Sequence, residues 1–351
     1  MTIKVHRIAL QVILLVLLLC GAVVFNLQKP RVMILHSYNT DYSWTKEVNV
    51  GLNRVFENHP GYTLNWHYMD TKRFKEEEAL RRSQVTAKQA IDEFEPDILI
   101  AIDNNAQKYV AKDYVNDPNM KIIFAGINGS IEPYGYKTAN NVTGILENRP
   151  LKALREVILS IQQQELGSSN NKQDDLIRLL YLMDGSRSVL SDRQNIDRYQ
   201  WSPLSYVGSI VTHNFVEWQQ AVLASENKTD YIIVTNYRQL SRSEIDPSLV
   251  SPKEVMSWTE KNSPVPVIGL QGFNVEDGCM LSIGTSPFEQ GEVSARMAVG
   301  FIDEEKSIED IPVESNRQFI VSMKKSSIQR HGIGLPAIYE AFSRAMNKFY
   351  D

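Results

Sequence analysis

Residues able to do chemistry gather in short polar runs, each directly after an apolar one. The fullest is His36 to Trp44, HSYNTDYSW, which carries hydroxyls, amides and rings. Asp103-Asn104-Asn105, Gly126-Ile127-Asn128, Asp184-Gly185-Ser186-Arg187 and Asn236-Tyr237 close four more apolar runs. Groups of this kind orient a bound molecule. The patterns that break bonds are missing: there is no G-x-S-x-G, P-loop or H-E-x-x-H, and Gly332 and Gly334 make G-x-G without the later glycine of a dinucleotide turn. Histidines stand apart at 6, 36, 59, 67, 213 and 331, and neither cysteine, Cys20 or Cys279, makes a metal-type spacing with them. Binding is therefore expected, with no catalytic residue, no metal and no cofactor. Cys279 is expected in the core.

The elements that must position these loops are legible as apolar runs. Val32 to Leu35 is apolar throughout, as a strand covered on both faces is. A helical pattern follows, with Thr45 as its expected cap and Val48, Leu52, Val55 and Phe56 on one face. Strands are expected again at 62–68, 97–102, 121–125 and 142–145, with helices over 76–94 and 106–114. A second series has strands at 177–183, 204–210, 230–235 and 265–269, with helices from Pro150, over 218–224 and over 252–260. A polar surface loop is expected over 167–174. A further strand at 280–283 leads to a helix after Ser286-Pro287. Strands alternating with helices at this spacing give parallel, doubly wound sheets, whose ligands sit at the carboxyl ends of the strands.

The chain has 351 residues, 43% of them hydrophobic, and a formal net charge of −5. That suffices for two core-bearing lobes and argues against a nucleic-acid partner, which calls for a basic patch. Lys4, His6 and Arg7 precede an apolar run from Ile8 to Phe25 broken only by Gln11. This pattern means export. Residues 1–28 fit both a cleaved signal peptide and a retained inner-membrane anchor. Lipidation at Cys20 fits worst, because the bulky Leu19 precedes it. Either way the remainder is expected to be periplasmic, or more generally extracytoplasmic.

Several segments then resemble one family in order and spacing: the opening strand and loop, FAGIN at 124–128, NVTGILE at 141–147, FEQGEVSARMA at 288–298 and RQFIVSMKKSSIQRHGIGLP at 317–336. They look like the ABC-type substrate-binding proteins whose known members bind aromatic amino acids. HSYNTDYSW also resembles sensor versions of the same domain. The resemblance runs from about residue 31 to 350. It implies an α/β fold of two doubly wound parallel-sheet lobes with a hinged cleft, the type I periplasmic binding fold. The lobes expected are 31–147 with 279–310, and 148–278 with 311–351, crossing near Glu147, Cys279 and Ile311.

The resemblance also implies a ligand set: His36, Ser37, Tyr38, Asp103, Asn104, Asn105, Gly126 and Asn128 on one lobe, and Glu147, Asp184, Ser186, Arg187, Asn236, Tyr237, Gln271 and Phe273 on the other. Tyr38, Tyr42, Trp44 and Phe273 have the rings to stack on a ligand ring or cage a cation, though Tyr42 and Trp44 fit equally as packing of their own loop. A helix starting near Asn104 would favour a carboxylate. Asp103 stands where the family commonly has a small neutral residue. Either it takes an ammonium group, or the carboxylate docks elsewhere, as at Arg187. Asn104 fits a helix cap as well as a ligand donor, Asp184 suits a turn, and His36 suits a hydrogen-bonded scaffold. The partners implied are a small polar or amino-acid-like molecule and either the membrane permease of an ABC importer or a membrane signalling receptor such as a histidine kinase or diguanylate cyclase.

Overall fold

A computed structural model describes residues 29–74, 76–168 and 176–351, together with 11, 13–21 and 26 near the start. Of the apolar N-terminal run expected to be a signal or anchor, residues 8–10, 12 and 22–25 lie outside the described residues. Among those described, no helix is long and apolar enough to cross a membrane. The chain forms two compact units, residues 1–145 with 287–314 and residues 146–286 with 315–351.

The first unit is built on a six-stranded sheet of order β11-β5-β4-β3-β1-β2. Its strands are β1 (Arg31–His36), β2 (Thr63–Tyr68), β3 (Ile98–Ile102), β4 (Lys121–Ile127), β5 (Val142–Leu146) and the short β11 (Glu314–Ser315). β1 pairs in parallel with both β2 and β3, and β3 with β4. Side chains alternate across the sheet, so Val32 and Ile34 point to one face and Met33 and Leu35 to the other. Against the first face pack α1 (Ser43–Phe56), through Val48, Leu52 and Phe56, and α9 (Pro287–Ile302), through Val293, Ala295, Met297 and Ala298. α2 (Glu77–Phe94) buries Ala87 and Ile91. The helical segment expected over 106–114 begins earlier and divides: α3 spans Asp103–Tyr109, and a 3₁₀ turn spans Ala111–Tyr114. Thr45 is not the cap of α1. The cap position is Tyr42, and Thr45 is buried inside the first turn.

The second unit holds a seven-stranded sheet of order β13-β12-β10-β9-β8-β6-β7. These strands are β6 (Arg178–Asp184), β7 (Ser205–Thr212), β8 (Tyr231–Val234), β9 (Val267–Gly269), β10 (Leu281–Thr285), β12 (Phe319–Lys324) and β13 (Phe349–Tyr350). Pairing is parallel from β7 to β10, and β12 lies antiparallel to β10. α4 (Leu151–Ser168) and α5 (Arg187–Arg198) cover one face, while α6 (Phe215–Leu223), α7 (Pro252–Asn262) and α8 (Phe273–Glu276) pack into a separate cluster that holds Trp218, Tyr237 and Cys279. α10 (Lys325–His331) and α11 (Ala337–Ala345) follow β12. Of the loop expected over 167–174, Gly167 and Ser168 belong to α4, and the rest lies outside the described residues.

The chain passes between the units after Ile145, Ser286 and Glu314. This corrects the expected boundaries. β10, expected in the first lobe, hydrogen-bonds β9 and β12 in the second sheet. Residues 311–314 stay with the first unit, where Ile311 is core and its carbonyl accepts from Thr143 Oγ1 at 2.6 Å.

Candidate ligand-binding loops

In the first unit β1, β3 and β4 are neighbours and parallel, so their following loops open on one edge. Ser37 ends β1. Its hydroxyl donates to Ile102 O at 2.7 Å and accepts from Ala106 N–H at 2.7 Å. That amide is one of the first-turn donors that a short helix leaves without a partner. Ser37 is thus a staple between β1 and α3, fully buried rather than presented to a ligand. It also removes one of the N–H groups expected to face a carboxylate. His36 is equally buried, its ring stacked on Tyr68 at 5.0 Å and 5°. Neither ring nitrogen has a hydrogen-bond partner, so His36 is scaffold by stacking. Burial lowers its pKa to about 3, against the opposing effect of the nearby Asn49 side chain. Trp44 packs against the core of its own unit.

Asp103 opens α3 in the left-handed region, at φ 67°, and is 4% exposed. A side chain at Gly126 would meet it: a Cβ there would lie 2.9 Å from Asp103 Oδ1, and Gly126 itself has φ 68°. Only glycine combines that backbone with that approach. Gly126 N–H donates to Gln290 Oε1 of α9 at 2.8 Å. Asn104 Oδ1 accepts from Asn128 N–H at 3.1 Å, tying the first turn of α3 to the loop after β4. Asn105 Nδ2 donates to Thr71 Oγ1 at 2.8 Å, and Thr71 Oγ1 donates to Ser37 O at 2.7 Å, which ties in the loop after β2. Asn104, Asn105, Asn128 and Tyr38 stay half-buried on this edge.

A residue not anticipated from sequence stands beside them. Lys72 Nζ lies over the Tyr38 ring at 4.9 Å and the Tyr42 ring at 3.7 Å, and donates to the Tyr42 hydroxyl. Tyr38 and Tyr42 meet edge to face at 5.3 Å. The expected cation cage therefore holds a cation of the chain's own. The only signal available was a lysine four residues past the end of β2, where a loop on the same edge is due.

On the second unit Asp184 ends β6, fully buried, and works as a turn anchor. It accepts from Ser186 N–H at 3.0 Å, Ser186 Oγ at 2.6 Å and Gln239 N–H at 3.1 Å. Asn236 Nδ2 reaches Ser186 Oγ at 3.3 Å, and its Oδ1 accepts from the N–H groups of Tyr237 and Arg238. Tyr237 is a core residue instead of a ligand contact: it is fully buried, and its hydroxyl donates to Asp277 Oδ2 at 2.9 Å. Burial and that carboxylate push its phenol well above the usual range. Gln271 gives its N–H to Asn274 Oδ1 at 2.8 Å. Phe273 lies 4.2 Å under the guanidinium of Arg238, which also donates to Asp277 at 2.7 Å. Arg238 is the basic residue that sequence reading missed on this edge. The side chain of Arg187 lies outside the described residues.

Glu147 is occupied elsewhere. Its Oε1 accepts from Arg149 Nη1 at 3.2 Å and Thr285 Oγ1 at 3.0 Å, while Arg149 Nε donates to Asp192 Oδ2 at 2.8 Å. The three charged side chains are each 7% exposed. Burial alone would lower the Arg149 pKa; the carboxylates of Asp192 and Glu147 outweigh it and hold the guanidinium above its usual range. Removing one member of such a group strands the others and costs about 3–5 kcal/mol. Among the described residues no cluster of three or more His, Cys, Asp or Glu could hold a metal.

Known structures share this architecture. A conserved domain protein from Vibrio cholerae O1 biovar El Tor is 17% identical with a TM-score of 0.59, over 90% of this chain and 98% of its own. The ligand-free, open form of a substrate-binding protein with adhesive properties from Clostridium difficile is 14% identical with a TM-score of 0.66, over 88% and 96%. An ABC domain in complex with L-Trp from Streptococcus pneumoniae is 15% identical with a TM-score of 0.55, over 89% and 98%. At these identities the likeness establishes the fold, two α/β lobes of the type I periplasmic binding kind. Residues 206–342 match the model of the family described as ABC transporter substrate binding protein. That stretch of the chain is similar to this family. No curated protein matches the chain. The matched stretch runs from within β7 into α11, so it includes the Arg238, Gln271 and Phe273 edge.

Proposed function

We propose that this chain is a substrate-binding protein that captures a small polar, amino-acid-like solute on its strand-end loops, outside the cytoplasmic membrane, and hands it to the permease of an ABC importer. One observation carries the reading. The half-buried amides of Asn104, Asn105 and Asn128 stand with the Tyr38–Tyr42 pair on one sheet edge, already fixed by hydrogen bonds to the scaffold. Amides that need no reordering hold polar groups at low entropic cost, and the rings supply apolar area. The L-Trp complex of the Streptococcus pneumoniae neighbour supports an amino-acid class. Lys72, on the same edge, suits the carboxylate of such a solute.

The test is native mass spectrometry of residues 29–351 for a co-purified molecule, followed by calorimetry with that molecule or with the best hit among amino acids in a thermal-shift screen. Tyr38→Ala and Asn105→Ala should each weaken binding about tenfold, the scale of one hydrogen bond or ring contact, with folding unchanged. Full affinity in both variants would remove the site from this edge. Turnover of the bound molecule would remove the protein from the binding class.

A further inference from the structure

The second unit contains a groove of about 830 Å³ that uses none of the strand-end residues above. It runs between the start of α4, the last turn of α5, the segment leading into β12 and Tyr339 of α11. Its size is that of small-molecule pockets. Its wall is knitted in advance: Asn148 N–H donates to Asn316 Oδ1 at 2.6 Å, and Asn148 Nδ2 to Ser315 Oγ at 3.1 Å.

The charge on that wall is one-sided. Arg149, Lys152, Arg198 and Arg317 face it, against a single carboxylate, Glu156. Arg149 is already balanced by Glu147 and Asp192, and Glu156 is paired with Arg155 at 3.0 Å. Lys152 and Arg198 are exposed and make no ion pair among the described residues. These two give a surplus of positive charge over a polar floor of Asn195 and Gln318. Tyr199, Phe319 and Tyr339 add apolar area, and the Arg155 guanidinium, 5.8 Å from the Tyr199 ring centroid, helps to hold that ring.

We propose that this groove is a second ligand site, for a small organic anion with a carboxylate or phosphate head and an apolar or aromatic body. The cations take the head, and the rings take the body. Both kinds of head share this chemistry, so the test separates them.

Phenylacetate, phenyl phosphate and the neutral phenylacetamide are titrated into residues 29–351 by ligand-observed NMR and calorimetry at low salt. At least one anion should bind, and the neutral amide should bind about tenfold more weakly, the loss of one charge-assisted contact. The stronger of the two anions names the head group. The exposed double variant Lys152→Gln/Arg198→Gln should lose about tenfold in affinity for that anion, and added salt should weaken it in the parent. Tyr38→Ala should leave it unchanged, which keeps this result separate from the fate of the strand-end site. No anion binding up to about 10 mM, equal binding of the amide, or full affinity in the double variant would each overturn the proposal. Loss of anion binding in Tyr38→Ala with retention in the double variant would also overturn it, by moving the site to the strand ends.

Discussion

His36 places an imidazole where nothing can solvate its charge. The ring lies nearly parallel to Tyr68 and to Trp66, 6.1 Å away at 8°, and is fully buried. Its pKa falls from the usual 6.5 to about 3. The unfolded chain therefore takes up a proton near pH 6.5 that the folded chain refuses until near pH 3. Where the unfolded state binds more protons, stability rises with pH. His36 thus contributes nothing to pH dependence above about 6.5 and costs roughly 1.4 kcal/mol for each unit below it, down to its folded pKa. In His36→Phe the fall in urea-unfolding free energy between pH 7 and pH 4.5 should shrink by an amount of that order. An identical fall in both proteins would show that the ring is protonated in place. The neighbouring polar residues follow a different rule. Ser37, Asp184 and Glu147 have the side chains of ligand contacts, and reading them so from sequence was reasonable. The fold uses them instead to satisfy amides and a guanidinium left at the ends of strands and helices. Nothing in the identity of a serine at a strand end tells which of these two duties it performs.

At the scale of elements, α1 and α9 meet backbone to backbone. A Cβ at Gly51 would stand 2.1 Å from Phe288 O, and one at Gly291 would stand 2.0 Å from Val48 O. Each glycine is therefore a slot for the other helix, and the contact closes one face of the first sheet. Gly51→Ala or Gly291→Ala must push the helices apart, at or above the roughly 1–3 kcal/mol usual for overpacking. Gly61, with nothing within 4 Å of its Cβ position, is the control. Thermal unfolding of the three variants checks this; a Gly291→Ala protein as stable as Gly61→Ala would contradict the close crossing. Both helices were legible from their apolar period, but their partnership was not, because the two glycines lie far apart in sequence. The strands were legible for a related reason. An apolar run such as Ile98–Ile102 has no polar face and must be covered on both sides. The same uniformity hides which sheet a strand joins. β10, LSIGT, is buried at all five positions, so nothing on its faces marks it for the second sheet. Lys72 and Arg238 were missed because a lone cation in a loop has no periodic pattern to stand out against.

At the scale of the whole molecule, neither unit is made from one continuous stretch. The first needs α9, whose Val293, Ala295, Met297 and Ala298 complete the core that Val32, Ile34, Ile100 and Ile123 begin. A fragment of residues 29–145 should therefore keep strand-like circular dichroism but lack a sharp thermal transition, having lost the apolar surface that drives cooperative closure. Joining residues 287–314 to it through a flexible linker should restore the transition. A cooperative melt of 29–145 alone would show that α9 is dispensable.

The doubling back of the chain also sets a timetable. A nascent chain emerges amino end first. When Leu146 appears, five of the six strands of the first sheet are present, and the face that α9 will cover is bare. It stays bare until residue 302 has emerged, and by then β6 to β10 of the second sheet are out too, with the edge of β10 still waiting for β12. For that interval two unfinished sheets coexist on one chain, one with an open face and one with an open edge, the surfaces on which chains aggregate. A slow step between residues 287 and 324 therefore holds both lobes in this state together, so that damage to this late segment shows first in yield and only afterwards in the stability of the molecules that do finish.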